Sequence, residues 1–328
     1  MRKLMISLDK KILDPNSAVA RRMVEYGKEN ELFIIIPSKE KKSFDLSPTV
    51  HVQSTGGNKW QQFWWLWKIG KEIIGNWKLE IGNCVTTTQA PFFTGLVGWL
   101  LKQKFEIQLE VQMHGDFFGG YYKKQWLKLC LAKFILKRAD TIRVVGERIK
   151  QSLVKFGVDE SKIQVRPIFV DIEWIKNYQP KIDLRKKYPG YEKIFLVLGR
   201  FDTVKNITWI VGVFREVLKQ KNYLLLIIGS GQEEGNIRSL ITDHGLSYNI
   251  KLVGWTNDAI SYLKTVDCLL FPSLSEGYGL VAMEAHAVGT SIIMNDVGVA
   301  NYELKPSEKV KIIPVSDRDA WIEAILSV

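Results

Sequence analysis

Runs such as Leu224-Leu225-Leu226-Ile227-Ile228 are apolar at every position. A strand that alternates apolar and polar residues can leave one face in water, whereas a strand without alternation has to be covered on both. Short runs rich in Val, Ile and Leu recur along the whole chain, separated by longer segments of helical pattern, and this alternation predicts parallel sheets with covering helices. In the first half the predicted strands are residues 3–8, 32–36, 50–53, 80–86, 106–112 and 141–145, with helices between them at 17–29 and 92–104. A second series follows at 194–198, 223–228, 250–253, 268–271, 291–294 and 310–313. Between the series lie Arg166-Pro167 and a polar stretch ending at Lys187-Tyr188-Pro189-Gly190. A chain of 328 residues is long enough for two cores. We therefore expect an α/β protein of two doubly wound domains, residues 1–172 and 173–328, with a ligand cleft between them that faces the carboxyl ends of the strands.

Three cysteines, Cys84, Cys130 and Cys268, are far apart and form no CxxC spacing, which points to a reducing, cytoplasmic setting. Residues 4–8 are too short an apolar run for a signal-peptide core, and no run approaches the ~18 apolar residues of a spanning helix. The net charge of +11 is concentrated: residues 1–173 carry 28 basic and 18 acidic side chains. Five of the eleven tryptophans fall in residues 59–78 (KWQQFWWLWKIGKEIIGNWK), interleaved with lysines. Such a stretch suits an anionic lipid interface and peripheral attachment at the inner face of a membrane. It also suits an ordinary helix whose inner face is Trp60, Phe63, Trp64, Trp67, Lys71 and Ile74. Residues 121–138 repeat the basic, apolar theme. Nucleic acid is disfavoured as a partner, because no helix-turn-helix, zinc or RNP-like pattern accompanies the charge.

The segment 271–289, FPSLSEGYGLVAMEAHAVG, is the most informative one. It reads as a strand end, a glycine-containing loop and a helix from about Gly279, apolar almost all round and so expected to be buried, with His286 packed within it. Glu284 in its middle is costly unless something hydrogen-bonds to it, either the vicinal hydroxyls of a ligand or a buried Arg or Lys. Glu276 lies in the loop before the same helix, beside Gly277 and Gly279. The amides there attract anions, so a second carboxylate is unfavourable unless it faces a neutral polar ligand.

Two glutamates separated by seven residues, in the context PS-x-x-EGYG-x-x-x-x-EA, resemble the signature of retaining glycosyltransferases of family four, which have the GT-B fold of two Rossmann-like domains. Gly199-Arg200-Phe201 followed by Lys205-Asn206 is similar to that family's G-R-x-x-x-x-K stretch, and Ile228-Gly229-Ser230-Gly231 and Leu252-Val253-Gly254-Trp255 fall at its G-x-G turn and nucleobase-side loop. The resemblance is weaker in the first half, through Val111-Gln112-Met113-His114-Gly115-Asp116 and residues 139–147. It implies that Arg200 and Lys205 face the diphosphate of a nucleotide sugar, that Glu284 binds ribose hydroxyls and that Glu276 contacts the transferred sugar. Backbone amides around Gly277, Tyr278, Gly279 and Leu280 would then face the sugar or diphosphate. His114 matches a histidine near the reacting sugar and the acceptor, although a histidine hydrogen-bonded within a loop is the ordinary alternative, and Asp116 could orient it. The resemblance further implies a nucleotide-sugar donor and a glycan or lipid-linked glycan acceptor, with no metal and no cofactor. A nucleotide-sugar epimerase and an inactive GT-B scaffold or membrane-binding protein are the alternatives.

Two departures stand out. The loop after the first strand, residues 14–18 (DPNSA), has no glycine where the family commonly has a pair, and after Met294 the pair is represented only by Gly298-Val299. Gly229-Ser230-Gly231 is followed by Gln232, Glu233 and Glu234, which excludes both the dinucleotide fingerprint and the phosphate-binding loop of nucleotide triphosphatases.

Overall fold

A computed structural model describes residues 1–77, 84–118 and 125–328. Residues 80–83 of one predicted strand, and residues 121–124 of the second basic segment, lie outside the described residues. The chain divides into two compact units, Met1–Val145 with Ile149–Arg166, and Gly146–Arg148 with Pro167–Val328.

The elements up to Arg166 run β1 (Arg2–Ile6), α1 (Ala18–Gly27), β2 (Glu31–Ile36), β3 (Ser43–Ser47), β4 (Val50–Ser54), α2 (Lys59–Gly75), β5 (Cys84–Thr88), α3 (Phe93–Phe105), β6 (Gln108–Met113), α4 (Trp126–Arg138), β7 (Thr141–Val144), α5 (Glu147–Lys155) and β8 (Ile163–Val165). The sheet has the order β3-β4-β2-β1-β5-β6-β7-β8. All its pairings are parallel except β3 with β4. β3 and β8 have no counterpart among the predicted strands. Ser43–Ser47 (SFDLS) is half polar and is held as an antiparallel edge, and Ile163–Val165 has only three residues.

The pleat sorts this sheet's side chains. Leu4, Ile6 and Ile35 go to one face, where Leu66, Ile69 and Ile74 of α2 and Val97 and Leu101 of α3 meet them. Met5, Leu32, Ile34, Val50 and Val52 go to the other, onto Met23 of α1. Beyond α1 that second face turns polar, with Lys3, Thr87, Glu110, Gln112 and Arg143. The inner face of α2 is also displaced from the one expected: Leu66, Ile69, Gly70 and Ile74 are buried, while Trp60 is 89% and Trp64 52% exposed. No helix among the described residues is long and apolar enough to cross a membrane.

The second unit contains α6 (Ile172–Asn177), α7 (Leu184–Lys187), β9 (Ile194–Leu198), α8 (Ile207–Val217), β10 (Leu224–Ile228), α9 (Glu234–Asp243), β11 (Ile250–Gly254), α10 (Ala259–Thr265), β12 (Cys268–Phe271), α11 (Leu280–Val288), β13 (Ser291–Met294), β14 (Val310–Ile312) and α12 (Arg318–Leu326). Its six strands are all parallel in the order β11-β10-β9-β12-β13-β14, the doubly wound arrangement in which the strand order reverses beside the first strand. The run 224–228 is buried at every residue, as its composition requires. α8 buries Ile207, Ile210, Val211, Phe214 and Val217 at helical spacing, and Trp209 meets Trp321 of α12 edge-on at 5.4 Å. Both units are Rossmann-like, the pair of domains that defines GT-B.

Candidate functional site

In the second unit, loops at the carboxyl ends of β9, β10, β12 and β13 are drawn together by backbone contacts that tolerate no side chain. A Cβ on Gly229 would lie 1.8 Å from the carbonyl oxygen of Gly199, so the loops after β9 and β10 touch only because residue 229 is glycine. Leu274 donates its amide to the Val204 carbonyl at 2.8 Å and links the loop after β9 to the one after β12. Asn295, just past β13, donates through Nδ2 to the Ser273 carbonyl at 2.8 Å, and its Oδ1 accepts from Val315. Gly298 adopts φ +56°, and a Cβ there would stand 2.2 Å from the Tyr278 carbonyl oxygen. The same carbonyl accepts from Val299 at 2.8 Å.

This framework brings two of the expected residues into contact. Lys205, at the end of a short turn after β9, places Nζ 2.5 Å from Oε1 of Glu276, with both side chains mostly buried. Such a pair, largely removed from water, is held by geometry and neighbours as much as by its own attraction. Arg200 points to solvent, 79% exposed, with a 3.3 Å contact to Asp202. α11 starts at Gly279 in the left-handed region with no side-chain cap, so its first amides have no side-chain acceptor. Tyr278 is buried, which raises its phenol pKa, with the Glu303 carboxylate adding to the effect. One Glu303 oxygen is itself buried, with no hydrogen-bond partner among the described residues.

Glu284 is half-buried on α11, and burial alone pushes its carboxyl above the usual range. No Arg or Lys pairs with it among the described residues, so the internal-partner alternative finds no support. The expectation of a wholly buried α11 is corrected. Ala282 and Ala285 are its buried residues, whereas His286 is exposed and Leu280 is 38% exposed, because the helix meets β12, β13, α6 and α10 with one side only.

His114 belongs to the first unit, just past β6. It stands at a cavity of about 440 Å3 lined also by Lys3, Thr87, Glu110, Gln112 and Arg143. Glu110 accepts from Thr87 at 2.8 Å and from Gln112 at 3.0 Å, so the floor is a connected polar network. The ring is reachable by solvent, yet the crowding of the cavity wall and the Arg143 charge lower its pKa and favour the neutral imidazole. Asp116 accepts from Ser152 at 2.8 Å. Among the described residues no group of three or more His, Cys, Asp or Glu side chains could hold a metal ion. Sequence reasoning missed Asn295, Glu303 and the Thr87–Glu110–Gln112 network. Only the alternation of polar and apolar residues in β6 (QLEVQM) signalled the last of these.

Residues 180–328 match the sequence profile of the family described as Glycosyl transferases group 1. Among individual proteins, a galactosyltransferase of Escherichia coli, named as UDP-Gal:alpha-D-GlcNAc-diphosphoundecaprenol alpha-1,3-galactosyltransferase, is 26% identical over 249 residues, which is 72% of this chain and 64% of that one. The chain thus spans about three fifths of the length of that relative. In fold it is similar to sucrose-phosphate synthase from Thermosynechococcus elongatus, with TM-score 0.76 and 22% identity over 100% of this chain and 89% of that one. It is likewise similar to Anabaena HepE in complex with UDP and glucose, with TM-score 0.76, 14% identity and coverage of 100% and 89%.

Proposed function

We propose that the protein is a retaining glycosyltransferase of family four that moves a sugar from a nucleotide diphosphate sugar to a lipid-linked or other glycan acceptor. The observation that carries this reading is the contact of Lys205 with Glu276 beside an uncapped helix start and an unpartnered, half-buried Glu284. Together they supply a cation for the diphosphate, a carboxylate for the sugar, free amides for charge that develops on the leaving group, and an acceptor for ribose hydroxyls. Residues 173–328 bind the donor and residues 1–172 the acceptor. Trp255, exposed past β11, offers a face for the nucleobase.

In the step we propose, the bond from the anomeric carbon to the diphosphate oxygen breaks while the acceptor oxygen bonds to the same face of that carbon. The acceptor's hydroxyl proton passes to the departing diphosphate. Lys205, Arg200 and the α11 amides stabilise the charge on that group, so the reaction is metal-independent. Donor arrival has to divert Lys205 from Glu276 or share it. His114, kept neutral, contacts the sugar or acceptor. The cationic, aromatic first half supports peripheral attachment at the cytoplasmic side of an anionic membrane.

The test is transfer from labelled nucleotide sugars to lipid-linked and soluble glycans, with the anomeric configuration of the product read by NMR. An axial donor linkage preserved in the product is expected. Donor conversion without acceptor would indicate an epimerase instead, and an inverted product would exclude retention.

A further inference from the structure

The first unit carries a groove of about 790 Å3, distinct from the His114 cavity. Its wall is Leu8, Phe63, Phe93, Leu96 and Leu131, and Trp60 stands over it, 89% exposed. Leu8 follows β1, Trp60 lies in the first turn of α2 and Phe93 opens α3, so the groove occupies the carboxyl edge of the sheet, where doubly wound folds bind ligands. On α4 the wall continues outward from Leu131 to Leu127, one turn away and 66% exposed, and Trp126 beside it is 64% exposed. Nothing in the catalytic reading uses these side chains.

Two features identify the occupant. Among the described residues, the charged ones lining the groove are Lys10 and Lys59, with no carboxylate beside them. The remaining polar lining residue, Gln62, already donates through Nε2 to the Gly57 carbonyl at 2.9 Å. A peptide laid in this wall would bring backbone amides and carbonyls that find no partners there. A hydrocarbon chain brings none, and an anionic group at its end would meet the two lysines.

We propose that this groove seats the hydrocarbon chain of the acceptor's lipid anchor, with Lys10 and Lys59 on the phosphate or diphosphate that follows it. This rests on the reading of the first unit as the acceptor-binding one and names the acceptor class as an anionic amphiphile. The groove also gives the exposed Trp60 a ligand to pack on, which an aromatic of this size gains from most.

The probe is farnesyl diphosphate, added below its aggregation threshold to the full chain and followed by tryptophan fluorescence, with farnesol and inorganic diphosphate as separate arms. All three are run with UDP present to occupy the donor site. We expect farnesyl diphosphate to bind, inorganic diphosphate not to, and Trp60→Ala and Leu131→Glu each to weaken binding at least tenfold. Trp60 is so exposed that its removal leaves the fold intact, which a Tm measurement checks. The double variant Lys10→Ala/Lys59→Ala should weaken farnesyl diphosphate several-fold and leave farnesol unchanged. Equal binding by wild type and both groove variants would overturn the proposal. So would binding to phosphatidylglycerol vesicles with none to monomeric farnesyl diphosphate, which would make this face a bilayer contact. The transferase reading fails separately: groove binding with no nucleotide-induced stabilisation would support the lipid seat and count against the donor site.

Discussion

The two sheets of this protein treat their faces differently. In the second unit β9, β10 and β12 are apolar nearly throughout and buried on both faces, so polar chemistry is confined to the loops beyond their carboxyl ends. In the first unit α1 packs on β2, β3 and β4, and the face beyond it carries polar side chains on the strands themselves. Where strands are covered on both faces, a functional residue can stand only in a loop, and loop motifs are compact in sequence. Where a face is open, polar side chains are dispersed over several strands, at position 87 on β5, 110 and 112 on β6 and 143 on β7. The chemistry we propose for the donor is therefore written in short motifs, and that proposed for the first unit is not.

The sharpest way to break this contrast is to remove the central pair. Lys205→Ala and Glu276→Ala should each lower kcat by ~10²–10³, the range expected when a group that stabilises developing charge is lost. Turnover measured well below each variant's Tm checks it, and wild-type rates in both would remove the donor assignment. Gly298→Ala should come next. It forces a Cβ against the Tyr278 carbonyl at a residue with φ +56°, and we expect a cost of ~1–3 kcal/mol. Calorimetry should show the transition of the second unit lowered and that of the first unmoved.

Glu284→Gln should act in opposite directions on stability and binding. Burial raises the folded-state pKa of Glu284, so its stabilising contribution is present below the ordinary carboxyl pKa and is lost as pH rises through the folded value. The glutamine variant should therefore melt higher than wild type at neutral pH, with the gap closing towards pH ~4. Nucleotide-sugar affinity should nevertheless fall ~10-fold as a charged hydrogen-bond acceptor is lost. The smallest effect is expected from His114→Gln. The folded pKa of His114 is depressed, so its contribution is present above pH ~6.5 and is lost on acidification through the folded value. Wild type should lose Tm relative to the variant over that interval, and acceptor KM should rise while nucleotide stabilisation is unchanged.

Strands 194–198, 268–271 and 291–294 were legible to the residue, because apolar runs bounded by Gly, Asp, Pro or Asn leave no other register. β3 was not, since SFDLS has strand character only when β4 lies beside it. The exposure of Trp60 was equally hidden: periodicity marks an apolar stripe without saying which of two overlapping stripes meets the sheet. Lys205 and Glu276 were legible as candidates, yet their mutual contact joins positions 71 residues apart and could not be read from spacing. Asn295 was invisible because an asparagine that ties two loops looks like any turn residue.

The most direct test of the central claim, that the second unit holds a nucleotide sugar on Lys205, Glu276 and Glu284, is a thermal-shift panel. UDP, GDP, ADP, CMP and their common sugar conjugates would be compared on wild type and Lys205→Ala. Selective stabilisation of wild type by one nucleotide family, lost in the variant, is the predicted result. No shift with any nucleotide, or equal shifts in both proteins, would contradict it.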